Sequence, residues 1–122
     1  MSTYLYVGLG GALGAMLRYI LSTVTVRSTF PMMTFITNLL GAICIGFIVG
    51  IASEKTDISP NLVTFLKTGF CGGFTTFSTF SLETLTLFEN HNYGIGTCYA
   101  VFSLVLCIVG VWVGRYIAKM AA

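Results

Sequence analysis

The sequence predicts an all-α membrane protein with four transmembrane helices, the third of them broken near the bilayer midplane. Of the 122 residues, 56% are hydrophobic and only 8% are charged, and the mean hydropathy is +0.91. Soluble domains carry roughly 25% charged residues, so an integral membrane protein is expected. The apolar stretches are long enough for spans of about 20 residues, the length that a ~30 Å hydrocarbon core requires.

Four spans and their loops account for the chain, so we expect a single integral membrane domain over residues 1–122. We predict the spans at about 4–24, 32–52, 60–89 and 93–117. The first apolar stretch lacks the positively charged flank of a secretory signal, and no cleaved signal peptide is expected. The four cysteines lie in apolar stretches without a C-x-x-C pair. We interpret them as small buried residues and not as disulfide or zinc ligands.

The third span is predicted to break at residues 72–76. Gly69, Gly72 and Gly73 lie just before or within it, and each glycine costs roughly 1 kcal/mol in a helix interior relative to alanine. The threonines and serine of residues 75–79 can turn their hydroxyls back onto the backbone. From Pro60, a helix reaches the break after about 18 Å, a little over half of the core. Irregular backbone at this depth must be buried in protein or line a wet cavity, and broken spans often hold ions. We expect Gly72→Leu to disturb this break more than side-chain changes at Thr75.

Cationic side chains give only a weak orientation signal. On the side of the termini they are Lys55, Lys67, Arg115 and Lys119, and on the other side Arg18 and Arg27. Under the positive-inside rule such a small bias lets the chain insert both ways up. Four short spans leave little room for a pathway within one subunit, so a two-fold symmetric oligomer is expected.

A few polar or aromatic groups within the spans can carry chemistry, and each has a structural alternative. Asn38 is an amide at membrane depth that serves either as helix–helix glue or as a functional donor. Phe77 and Phe80 share one helical face. They are plain core, or their positive ring edges contact an anion and exclude cations. Nearby hydroxyl donors, which can instead bond the preceding turn, are Thr76, Ser78 and Thr79.

The fourth span carries a stripe of residues four apart, Tyr99, Ser103 and Cys107, which is either a packing face or a polar lining. Apart from Arg115 at the end of the fourth span, Arg18 is the one arginine inside a span, where a functional role is the default. Glu83 is either a pathway group or a structural partner. The sequence shows no Ser-His-Asp set, metal-ligand cluster or phosphate loop, so enzymatic function is not expected.

These motifs resemble those of the Fluc or CrcB family of microbial fluoride channels. The resemblance rests on residues 10–19, 37–41 and above all 69–80, together with chain length and motif order, and so covers the whole chain. It implies an antiparallel, dual-topology homodimer in the cell (inner, plasma) membrane, with two pores that passively export cytoplasmic fluoride. It also implies a structural sodium ion (Na+) on the two-fold axis, held by the backbone carbonyls of Gly72 and Thr75 from each subunit.

The resemblance also assigns individual residues. Asn38, Phe77 and Phe80 match pore-lining positions, and Arg18 matches an arginine near an aqueous vestibule. The matches to the polar track of the pore are Thr76, Ser78, Tyr99 and Ser103, with Thr79 as a further hydroxyl donor. Cys107 departs from the hydroxyl expected at the far end of that track. Glu83 matches an often acidic position without an assignable role.

Two other function classes stay open. A small multidrug exporter also has four spans and can pair antiparallel. Such an exporter requires a carboxylate inside the bundle, and Glu83 is the only candidate. A non-transporting assembly subunit would use the glycine contact faces but would not explain the broken span. Fluoride release from proteoliposomes separates the three.

Overall fold

The computed structural model describes residues 2–122, and every regular element in that range is a helix. Three helices are long and apolar enough to cross a membrane: α1 (Ser2–Ser22), α2 (Met32–Glu54) and α6 (Tyr93–Ala121). Their outward faces carry many exposed large apolar side chains, as expected for helices that face lipid. The predicted all-α membrane class is confirmed.

The stretch between α2 and α6 is divided into several helical pieces. It begins with α3 (Pro60–Thr64), continues as a π-helical segment (Phe65–Cys71) and the single turn α4 (Gly72–Phe74), and ends with α5 (Phe77–Glu89). Between α4 and α5 the backbone is extended, with φ −85° and ψ 160° at Thr75 and φ −147° and ψ 121° at Thr76. We call residues 72–76 the helix break.

Threonine hydroxyls shape both sides of the extended turn. The Thr75 hydroxyl donates to the carbonyl of Cys71 at 2.9 Å, alongside the Thr75 amide at 3.0 Å, which ends α4. The Thr76 hydroxyl accepts from the Thr79 amide at 3.1 Å and caps the start of α5. These side chains locally satisfy some of the backbone groups that lose helical partners where the chain leaves helical geometry.

Glycines let α1 pack directly on the backbone of the divided stretch. A methyl group added at Gly14 would lie 2.8 Å from the amide nitrogen of Phe74, and one added at Gly73 would lie 2.5 Å from the carbonyl oxygen of Gly11. Neither backbone can give way as a flexible side chain would. Close approach of this kind is how small residues hold membrane helices together.

The second backbone contact joins α2 to α6. A methyl group added at Gly114 would lie 2.7 Å from the amide nitrogen of Phe47, and Gly46 faces the backbone of Val111 in the same way. Helix α5 then packs on α6, where Leu87 covers Gly96. This arrangement brings Phe80 of α5 against Tyr99 of α6.

Candidate functional site

Asn38 ties α2 to the helix break through both ends of its amide. Its Nδ2 donates to the carbonyl of Thr76 at 3.0 Å, and its Oδ1 accepts from the Thr76 amide at 2.8 Å. A backbone amide can only donate and a carbonyl can only accept, so this pairing orients the side chain. One of the two Nδ2 hydrogens remains for another acceptor.

The carbonyl oxygens of the break fall into two groups. Those of Cys71, Gly73 and Thr76 each accept a hydrogen bond, from Thr75, Arg18 and Asn38 respectively. The Arg18 contact runs from Nε to the Gly73 carbonyl at 3.0 Å.

Within the described residues 2–122, no protein donor reaches the carbonyl oxygens of Gly72, Phe74 and Thr75. Bare carbonyls at membrane depth are costly unless something else pairs with them. Such oxygens fit a role as ligands of a hard cation, which prefers oxygen, and the resemblance implies those of Gly72 and Thr75.

A larger cavity of about 380 Å³ opens beside the break. The predicted site residues that line it are Asn38, Gly72, Thr75, Thr76, Phe77, Phe80, Ser103 and Cys107. Ser103 is 6% exposed, and its hydroxyl has no hydrogen-bond partner among the described residues. No lysine, arginine, aspartate or glutamate is among the residues that line this cavity. The polar side chains that line it are thus uncharged, and Cys107 adds a thiol where a hydroxyl was expected.

A smaller cavity of about 180 Å³ also lies beside the break. It is lined by Arg18, Ser22, Met33, Thr34, Thr37, Thr76 and Thr79. Arg18 gives it a positive charge, and the threonines give it hydroxyls. Thr76 lines both cavities, so both adjoin the helix break.

Aromatic rings extend from the break towards α6. The ring centroids of Phe77 and Phe80 are 5.5 Å apart, and those of Phe80 and Tyr99 are 5.1 Å apart. Phe80 is buried, whereas Phe77 is 73% exposed at the subunit surface. Ser78 is also exposed, within 3.5 Å of the Thr76 hydroxyl, and lines neither cavity.

Hydrogen bonds join Glu83 to Tyr99 and to Thr34, a residue that the sequence analysis did not single out. The Tyr99 hydroxyl donates to Glu83 Oε1 at 2.9 Å, and Thr34 Oγ1 donates to Glu83 Oε2 at 3.1 Å. Tyr99 is fully buried and lines neither cavity. Thr34 precedes Asn38 by four residues and so shares its helical face, which is the signal that could have identified it. Glu83 thus has structural partners in the single chain.

Fold and site define a multi-pass helical membrane protein whose interrupted helix is held by polar side chains and adjoins two cavities. Residues 5–115 match the model of the family described as CrcB-like protein, Camphor Resistance (CrcB). The chain belongs to this family, as its motifs predicted.

Curated relatives match over nearly the whole chain. The fluoride-specific ion channel FluC of Flavobacterium psychrophilum is 42% identical over 98% of both chains. That of Methylobacillus flagellatus is 42% identical over 98% of this chain and 97% of its own. Fluoride-specific ion channel FluC 1 of Staphylococcus epidermidis is 43% identical over 91% of this chain and 92% of its own. The family is therefore one of ion channels and not of enzymes, and the exporter and assembly-subunit alternatives lose their support.

Proposed function

We propose that this protein is a fluoride-selective channel that passively exports cytoplasmic fluoride across the inner (plasma) membrane. The observation that carries the proposal is the larger cavity, where amide and hydroxyl donors meet two phenylalanine rings without any ionised side chain. The relatives named as fluoride channels support it, because they match over nearly the full length.

The donors suit a small, strongly hydrated anion. Fluoride must exchange its water for hydrogen-bond donors, and the remaining Nδ2 hydrogen of Asn38 and the unpartnered hydroxyl of Ser103 supply them. The positive edges of the Phe77 and Phe80 rings can contact the anion while discouraging cations. Nothing in this lining couples transport to another ion, so conduction down a gradient is the economical mechanism.

Anion selectivity tests this function. Proteoliposomes that contain the purified protein should release fluoride rapidly and chloride at no more than the rate of protein-free vesicles. Ion-selective electrodes measure both effluxes in matched vesicles loaded with either salt. Equal rates of fluoride and chloride release would contradict the proposal.

We further propose that the working unit is a homodimer of oppositely oriented subunits with two pores. In the single chain the larger cavity opens to the subunit surface, where Phe77 is 73% exposed. A second copy would cover this opening, whose amide and hydroxyl groups lipid cannot satisfy. Because the break lies near mid-depth, two breaks can meet on a two-fold axis even when one subunit is inverted.

Orientation can be measured at the turn between α5 and α6. A cysteine at the exposed Asn90, in a background without the four native cysteines, should react with an impermeant thiol reagent from both faces of the membrane. Labelling from one face alone would rule out the antiparallel homodimer. Permeabilised membranes provide the measure of full labelling.

The same geometry supports a structural sodium ion. In an antiparallel pair, Gly72 and Thr75 would each contribute their carbonyl twice, giving four oxygens to one cation. The ion would neutralise groups that otherwise cost several kcal/mol each at this depth. It would hold the dimer together and would not travel with fluoride.

Sodium removal tests that role. Prolonged exchange of the purified protein into a large organic cation should abolish fluoride flux, and returning sodium should restore it. Sodium gradients should leave the fluoride reversal potential unchanged. Undiminished flux after complete exchange would show that another group satisfies these carbonyls.

A further inference from the structure

The backbone around Phe30, in the connection between α1 and α2, is constrained by local turns. Pro31 has φ −73° and ψ 75°, the geometry of an inverse γ-turn. The Met32 amide accordingly donates to the Phe30 carbonyl at 2.7 Å. On the other side, the Phe30 amide donates to the Ser28 hydroxyl at 3.2 Å. Proline fixes φ at such a turn, so the backbone next to Phe30 is constrained.

The ring of Phe30 extends the row of aromatic side chains out of the bundle. Its centroid lies 5.3 Å from that of Tyr99 at an interplanar angle of 82°, and 5.6 Å from that of Phe35 at 77°. Both are edge-to-face contacts, the arrangement that aromatic quadrupoles favour. Phe77, Phe80, Tyr99 and Phe30 thus form an unbroken series of rings from the helix break to the α1–α2 connection.

We propose that Phe30 is a positioning residue for the hydrogen bond between Tyr99 and Glu83. Phe80 and Phe30 are the two rings nearest to Tyr99, at 5.1 and 5.3 Å. Together they select the ring orientation in which the buried hydroxyl reaches Glu83 Oε1 at 2.9 Å. A leucine at residue 30 keeps much of the apolar bulk but offers no ring edge to Tyr99. The α1–α2 connection thereby acts on the Tyr99 hydroxyl without touching it.

The consequence for transport rests on the proposed fluoride pathway. Tyr99 packs directly on Phe80, and Phe80 lines the larger cavity. A Tyr99 ring that is free to turn no longer presents a fixed surface to Phe80. Loss of the Phe30 edge contacts should therefore reduce fluoride flux by roughly three- to tenfold, the range expected for one or two aromatic edge contacts.

An infrared measurement on the full-length protein in liposomes tests the positioning role apart from flux. The carboxyl band of Glu83 is assigned by its loss in Glu83→Gln. Phe30→Leu should shift this band in the same direction as Tyr99→Phe, which removes the hydroxyl outright. Combining both changes should add no further shift, and Phe30→Leu should alter flux by roughly twofold or less in the Tyr99→Phe background.

Phe88→Leu is the matched control, because Phe88 is also partly buried and pairs with a tyrosine, Tyr93, at 6.0 Å. It should leave the Glu83 band in place. If Phe30→Leu does not assemble, Phe30→Met supplies the same test with a more adaptable side chain. An unchanged Glu83 band in the assembled Phe30 variant overturns the proposal. A shifted band supports it even if the wild-type protein carries no fluoride, a result that would refute the proposed function alone.

Discussion

Phe77→Ile is expected to reduce fluoride flux by on the order of tenfold or more while the subunit folds normally. Phe77 is 73% exposed in the single chain, so the fold of that chain depends little on its ring. Isoleucine is also apolar, but it lacks the positive ring edge that we propose contacts the anion. Fluoride efflux from proteoliposomes gives the rate, and chemical cross-linking shows whether the dimer still assembles.

Phe80→Ile should lower flux to a similar degree, with an added cost in stability. Phe80 is buried and belongs to the core cluster with Leu87 and Tyr99, and trimming a core aromatic leaves a cavity. Phe88→Ile, on the same helix but outside both cavities, should leave flux unchanged. Full fluoride flux in both Phe77→Ile and Phe80→Ile would show that these rings serve only in packing.

Gly72→Leu is expected to abolish fluoride flux by preventing two subunits from pairing, while each subunit keeps its fold. The Gly72 backbone is helical, with φ −63° and ψ −39°, and an added methyl group would meet nothing within 4 Å. Within one chain a leucine is therefore tolerated. In the proposed dimer the two breaks meet at this position, where a leucine would displace the partner's backbone. Gel filtration and cross-linking should show monomers, and flux should fall to the level of protein-free vesicles.

Gly73→Leu provides the contrast, because its side chain would collide with the backbone of Gly11 in the same subunit. This variant should lose folded protein altogether. Gly94→Leu, also open within 4 Å but at the start of α6, should behave as wild type. A dimeric, fully active Gly72→Leu protein would argue against breaks that meet on a two-fold axis. The steric restriction within the subunit thus belongs to Gly73, whereas the sequence had drawn attention to Gly72.

Composition and motifs were sufficient for the all-helical membrane class and for the family. The glycines predicted less accurately which residues of the break leave helical geometry. Gly72 and Gly73 remain helical, and the extended residues are Thr75 and Thr76. Here tertiary contact overrides helix propensity, because the small residue is needed where α1 approaches. The π-helical segment that precedes the break has no comparable local signal in the sequence.

The candidate site was harder to predict because its contacts join residues far apart in the chain. The sequence left Asn38 open between glue and donor, and its pairing with Thr76 crosses 38 residues. The contact of Arg18 with Gly73 crosses 55. Phe30 lies outside the predicted spans, so no helical pattern pointed to it. In contrast, Phe77 and Phe80 could be placed together because they share one turn of a single helix.

These long-range contacts also constrain the order in which the protein is built. The break is completed by Asn38 of α2 and Arg18 of α1, so the third stretch cannot satisfy its own backbone when it first enters the bilayer. We expect it to insert as a more regular helix and to open only when α1 and α2 are packed against it, which makes the break a late event in folding. Amide hydrogen exchange at Thr76 would report this event, and Asn38→Ala should speed exchange there well before the long helices lose protection.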